Sequence, residues 1–218
     1  MLPRFLVGAL SCIVALTVHA QNEVVATVTD ALGKPLPDAV VVAVPADGGA
    51  RLPVKPRDAA ILQVDKEFVP KVSVVLAGTA ISFPNNDSVR HHVYSFSSVK
   101  KFELPLYQGV PASPVVFDKP GVVVLGCNIH DWMVAYVYVS ESPHYAKTDA
   151  RGTATISDLA AKVWSVRVWH PQLDGTEAQT IRTIDLARQR RVDIAWTLVI
   201  KPEARVRRAP ASRQSGSY

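Results

Sequence analysis

The chain is short of sulfur: its 218 residues hold two cysteines and two methionines. Cys12 lies in an apolar N-terminal run, so the body of the chain keeps only Cys127. A lone cysteine excludes an internal disulfide framework. It is buried and inert, a reactive thiol, or a metal ligand. Helical periodicity of useful length is missing, which excludes a bundle or coiled coil. Beyond the first twenty residues no apolar run is long enough to cross a bilayer. No nucleic-acid-binding module is recognisable. With 48% hydrophobic and 20% charged residues, the composition also excludes a fibrous or wholly disordered chain.

What is present favours strands and turns: Val and Thr are common, with 16 Pro and 11 Gly. Residues 1–20 read as a signal peptide. Arg4 supplies the positive end, Phe5 to Val18 the apolar core, and Val18-His19-Ala20 the small-residue cleavage site, so the mature chain is expected to start at Gln21. The alternative, a retained anchor, needs a longer run. The net charge of +5 falls to about +4 on loss of Arg4. Arg205, Arg207, Arg208 and Arg213 sit among Pro, Ala, Ser and Gly, and 203–218 reads as a disordered basic tail. That tail either steers an acidic partner or only solubilises the protein. Between these ends, short strands recur at regular spacing, among them 23–29, 39–44, 72–75, 79–83, 91–97, 122–125, 134–139, 164–169 and 192–199. They predict an all-β chain of sandwich or barrel type. The stretch around Pro105 and Pro111 reads as a loop.

The chemistry is concentrated in Gly126-Cys127-Asn128-Ile129-His130-Asp131-Trp132-Met133. A loop between two strands can fold the Cys, His and Met donors toward one point. Thiolate and thioether are soft and imidazole is intermediate, a set suited to copper in both oxidation states. Zinc in a structural site draws further cysteines or carboxylates. A trigonal His₂Cys arrangement with a weak axial Met needs one more histidine. His91-His92 supplies it at the head of a strand. Side chains alternate along a strand, so only one of the two can face the metal. His144 and His170, each near a Pro, read as structural or surface residues. Trp132 either packs over the loop or is exposed for docking.

Residues 59–141 resemble a cupredoxin of the plastocyanin and amicyanin kind. The matching pieces are Phe68-x-Pro70, Val72-x-Val74, Gly78, Phe83-x-Asn85-Asn86, His91-x-Val93, Phe117, Pro120-Gly121 and the Cys127 loop. The Phe-x-Asn-Asn stretch followed by His-x-Val is similar to plastocyanin and selects His91 over His92. The C-x-x-H-x-x-M loop is similar to amicyanin, with Asp131 where that loop has Pro. The resemblance implies a Greek-key sandwich holding one type 1 copper on His91, Cys127, His130 and Met133. It also implies electron exchange at His130 through an apolar patch to which Ile129, Trp132, Val89 and Pro84 could contribute. Backbone amides near Asn86 and Asn128 are expected to tune the Cys127 sulfur.

The flanks carry a second resemblance. Val25-Ala-Thr-Val-Thr-Asp30 with Gly33-Lys-Pro-Leu-Pro-Asp-Ala39, and Thr148-Asp-x-x-Gly152-x-Ala-x-Ile156, are similar to the carboxypeptidase-regulatory-like, transthyretin-type sandwich. The copper unit is then inserted into a second sandwich built from 22–50 plus 145–200. The alternative is that 22–50 adds edge strands to the cupredoxin. The whole implies a periplasmic electron carrier of the kind called methylamine utilization protein. Its redox partners would be a quinoprotein dehydrogenase or a cytochrome c, with no stable membrane insertion after cleavage. No general base, nucleophile pair or further Cys/His cluster is visible, so an enzyme such as a multicopper oxidase is not expected. The competing classes are a copper-binding or delivery protein without redox cycling, and a β-sandwich binding module.

Overall fold

The computed structural model describes residues 22–48, 54–111 and 113–202. The expected signal peptide and basic tail lie outside them. Among the described residues the secondary structure is strand, apart from one 3₁₀ turn at Glu177–Thr180, and the all-β expectation is borne out. No helix among them is long and apolar enough to cross a membrane.

Strands β1 (Asn22–Asp30) and β2 (Val40–Pro45) open the chain. Short strands β3 (Ala59–Ala60), β4 (Leu62–Val64) and β5 (Glu67–Val69) follow. Then come β6 (Val72–Leu76), β7 (Thr79–Ser82), β8 (His91–Ser97) and β9 (Lys100–Tyr107). The middle section closes with β10 (Val115–Phe117), β11 (Gly121–Gly126) and β12 (Val134–Ser140). The C-terminal section holds β13 (Tyr145–Lys147), β14 (Thr153–Leu159), β15 (Val163–Trp169), β16 (Arg182–Asp185) and β17 (Arg191–Leu198).

The middle section builds one sandwich. A five-stranded sheet in the order β6-β12-β11-β8-β9 faces a sheet in the order β10-β7-β3. Alternate residues such as Val93, Val123, Leu125, Ala135 and Val137 point inward to meet Ile81, Phe83 and Phe117. The expected loop around Pro105 is instead the edge strand β9, which among the described residues pairs only with β8. Proline lacks the N–H of an interior ladder, and an edge strand tolerates that.

The first and last sections share a second core. β1 lies between β14 and β17, and β2 lies between β13 and β15. The two sheets enclose Val24, Val28, Val41, Trp164, Val166 and Trp196. Gly152 has φ +73°, and a Cβ there would sit 2.4 Å from the Val28 carbonyl oxygen, so the turn before β14 requires glycine.

The apolar run Ala39 to Val44 has no alternation because β2 is buried on both faces. Val41 and Ala43 join the second core. Val40 and Val42 pack outward with Val72, Val74, Val122, Tyr136, Tyr138 and Trp169. That third cluster joins the two sandwiches. Beside it Arg167 pairs with Glu141 and Glu177, and Tyr138 donates its hydroxyl proton to Glu177. Lys147 spans the same seam, from Asp38 to the Val72 carbonyl at 2.9 Å.

Candidate metal centre

β11 and β12 pair in register up to Gly126 and Val134, so Cys127 to Met133 form the loop of a hairpin at one end of the sandwich. The Met133 N–H donates to the His130 carbonyl at 2.8 Å and closes the turn. Cys127 and Met133, 2% and 1% exposed, sit in the sandwich core. His130 is half-buried, with its ring 5.1 Å from that of Trp132.

Gly126 precedes Cys127 for a steric reason. A Cβ there would lie 2.8 Å from the Tyr94 ring on the neighbouring strand. Tyr94 stacks in turn on Phe96, at 5.0 Å between centroids, and Phe96 is 78% exposed. The outer face behind the loop is therefore an aromatic row.

β8 turns His91 inward and His92 outward. His91 is fully buried, with Nδ1 3.1 Å from Nδ1 of His130. His92 bonds Glu103 on the outer face at 2.9 Å. Cys127 Sγ is 3.9 Å from His130 Nδ1. One ligand-capable atom each from His91, Cys127 and His130 falls within a 4.8 Å cluster. Two imidazole nitrogens and one sulfur converging in a buried pocket fit a soft or intermediate metal ion. Met133 shares the core with Cys127. His144 and His170 lie elsewhere: His144 packs on Trp164 at 5.0 Å, and the His170 ring accepts the Gln172 N–H.

Four residues frame the site; the sequence pattern singled out Asn85 but not Asp65, Lys66 or Asp87. Asn85, buried, donates its amide to the carbonyls of Val89 and Tyr107, both at 2.9 Å, and accepts the Asp87 N–H. Asp87 Oδ2 lies 2.7 Å from His91 Nε2. The two-residue turn Asp65-Lys66 has positive φ at both positions, 54° and 59°, as a type I′ hairpin requires. Its N–H groups donate to the Asp87 carboxylate at 2.7 and 2.8 Å. The Lys66 carbonyl accepts the Trp132 indole N–H at 3.1 Å. Without Asn-Gly or Asp-Gly this turn carried no sequence signal. The Asn86 N–H, one of the amides expected near the Cys127 sulfur, donates to the Gln63 carbonyl at 2.9 Å.

The electrostatics follow the burial. Desolvation, with smaller contributions from the charges of His91 and Lys66, pushes the His130 imidazole below the ordinary histidine range. At Asp87 burial pushes upward, but the Lys66 and Asp65 N–H groups and the His91 ring outweigh it and hold the carboxyl below the usual range. Burial raises the Tyr107 phenol to about 12.

No known protein family matches the chain, and no curated protein matches it. Among solved structures it is similar to a purple cupredoxin from Nitrosopumilus maritimus, 26% identical over 38% of this chain and all of that one, with a TM-score of 0.34. A copper-containing nitrite reductase from Thermus scotoductus is 27% identical over 54% of this chain and 28% of its own, at 0.37. A reduced amicyanin mutant is 17% identical over 47% and 99%, at 0.35.

Proposed function

We propose that this chain is a type 1 copper protein that carries single electrons between redox partners. The observation that carries the reading is the convergence of His91, Cys127 and His130 donors within 4.8 Å, beside the buried Met133. His91, Cys127 and His130 would hold the ion, with Met133 as the further donor that the sequence resemblance implies. Bound copper supplies a one-electron couple whose potential responds to the axial ligand and to the surroundings of the thiolate. The chain's part is to hold the two imidazoles and the thiolate in one arrangement for both oxidation states. The loop does this by ending two paired strands, and the strand register does it by sending His91 inward. Half-buried His130 is the proposed point of electron exchange. Ile129 and Val89, 48% and 39% exposed, supply apolar contact surface for a partner.

The protein works in the periplasm in this reading, exported by residues 1–20. Its partners are redox proteins, a quinoprotein dehydrogenase and a cytochrome c, in the oxidation of amines; the compact C-x-x-H-x-x-M loop supports this choice. The organisation we propose is a copper domain at 59–141 inserted in a carboxypeptidase-regulatory-like domain of 22–50 plus 145–200. The two separate cores support it.

The test is optical and electron paramagnetic resonance titration of the mature protein with Cu(II), beside Cys127→Ser. An intense visible thiolate band with narrow hyperfine splitting, lost in the variant, is the expected result. Weak binding without that band, unchanged in the variant, sinks the reading.

A further inference from the structure

We propose that Asp87 is a positioning residue for the metal centre, holding His91 in the tautomer and orientation that present Nδ1 to the ion. The inference rests on the copper reading given above and concerns the same site.

The tautomer of His91 follows from its two contacts. This ring is fully buried, and its two nitrogens face different partners. Nε2 is 2.7 Å from Asp87 Oδ2, and Nδ1 faces His130 at 3.1 Å. A carboxylate is an acceptor only, so His91 must carry its proton on Nε2 to bond it. That leaves the lone pair on Nδ1, the nitrogen inside the donor cluster with Cys127. The tautomer needed for ligation is thus present before any metal arrives.

The carboxylate is itself held. Its oxygens accept the Asp65 and Lys66 N–H groups, and the Asp87 backbone N–H donates to the buried Asn85 side chain. Two successive amides in left-handed conformation form a small anion-binding nest. The same turn accepts the Trp132 indole proton on the Lys66 carbonyl, and Trp132 packs on His130. One hairpin turn therefore braces both imidazoles, His91 through Asp87 and His130 through Trp132. Chain positions 65–66, 87 and 132 meet there only through the fold.

The chemical consequence has a direction. A carboxylate accepting the far N–H of a ligating imidazole raises its basicity, as such outer partners do at metal sites generally. A more basic ligand favours the more highly charged ion, so Asp87 stabilises Cu(II) over Cu(I) and lowers the reduction potential.

The experiment compares the wild-type mature chain with Asp87→Asn. Both are loaded with Cu(II) and read by visible absorption, chelator competition and voltammetry. The expected variant keeps the thiolate band and binds Cu(II) about tenfold more weakly, the lower end of the usual effect of such partners. With Cu(I) binding unchanged, a tenfold loss of preference for Cu(II) raises the potential by about 59 mV. In parallel, nitrogen NMR of the metal-free wild type reads the His91 tautomer, with Nε2 protonation expected. That measurement decides the matter even where Asp87→Asn does not fold, since Nδ1 protonation overturns the inference. A band in both proteins with equal affinity and potential also overturns it and leaves the copper reading standing. A wild type without the band overturns the copper reading, and this inference falls with it.

Discussion

The two sandwiches bury polar side chains for different purposes. In the one formed by the chain's ends, the buried polar groups stitch backbone to backbone. Thr148 accepts the Ala39 N–H and donates to the Leu36 carbonyl. Thr180 does the same at Val168. Their hydrogen bonds close within the protein. In the middle sandwich, the buried His91 turns Nδ1 toward a second imidazole nitrogen, in one cluster with the Cys127 sulfur. Packed sheets of similar architecture thus hold backbone-directed hydroxyls in one case and a cluster of ligand-capable atoms in the other. The difference lies in a handful of side chains at one pole, not in the strands.

The largest effect should come from damaging the supporting core. Trp164 is buried at 2% exposure and anchors the second core. Trp164→Ala should cost about 3–5 kcal/mol, read by denaturant unfolding. The contrast sharpens if the folded fraction still shows the copper band, and breaks if the band disappears with the core intact.

Copper addition should stabilise the other sandwich. A ligand bound only by the native state contributes about 4 kcal/mol at a thousandfold excess over its Kd. The gain should appear in thermal unfolding of the wild type and vanish in Cys127→Ser. Equal stabilisation of both proteins would mean that copper binds outside the cage.

Gly126→Ala should cost about 1–3 kcal/mol, because its Cβ would press on the Tyr94 ring. Gly126→Ala together with Tyr94→Ala should recover part of the loss in chemical denaturation, since the clash is removed.

The smallest effect concerns alkaline pH. Tyr107 has its phenol raised to about 12, against about 10 in an unfolded chain. Above pH 10 the unfolded state releases this proton while the folded state keeps it, so stability falls as pH rises from about 10 to about 12. Tyr107→Phe should flatten that fall, as followed by denaturant midpoints across the range.

Much of the architecture was readable from local pattern. Short strand-forming runs at 91–97, 122–125 and 134–139, and alternation along 164–169, marked strands that the structure contains. β9 was not readable, because Pro105 signals a break and only the strand's place at the sheet edge makes it tolerable. Nor was the Asp65-Lys66 hairpin, whose left-handed residues are held by a carboxylate 21 and 22 positions away.

The sequence by itself determined the strand-forming segments and the donor chemistry of the Cys127 loop. Both depend on side-chain period and on spacing within a few residues, which are properties of the local chain. Tertiary structure alone decided why β2 is apolar on both faces and that Asp87 and Trp132 meet one turn. Those contacts join residues far apart in sequence, such as Trp132 and Lys66, 66 positions apart. Their partners are chosen by which surfaces the packed sheets bring together, and no local pattern encodes that choice.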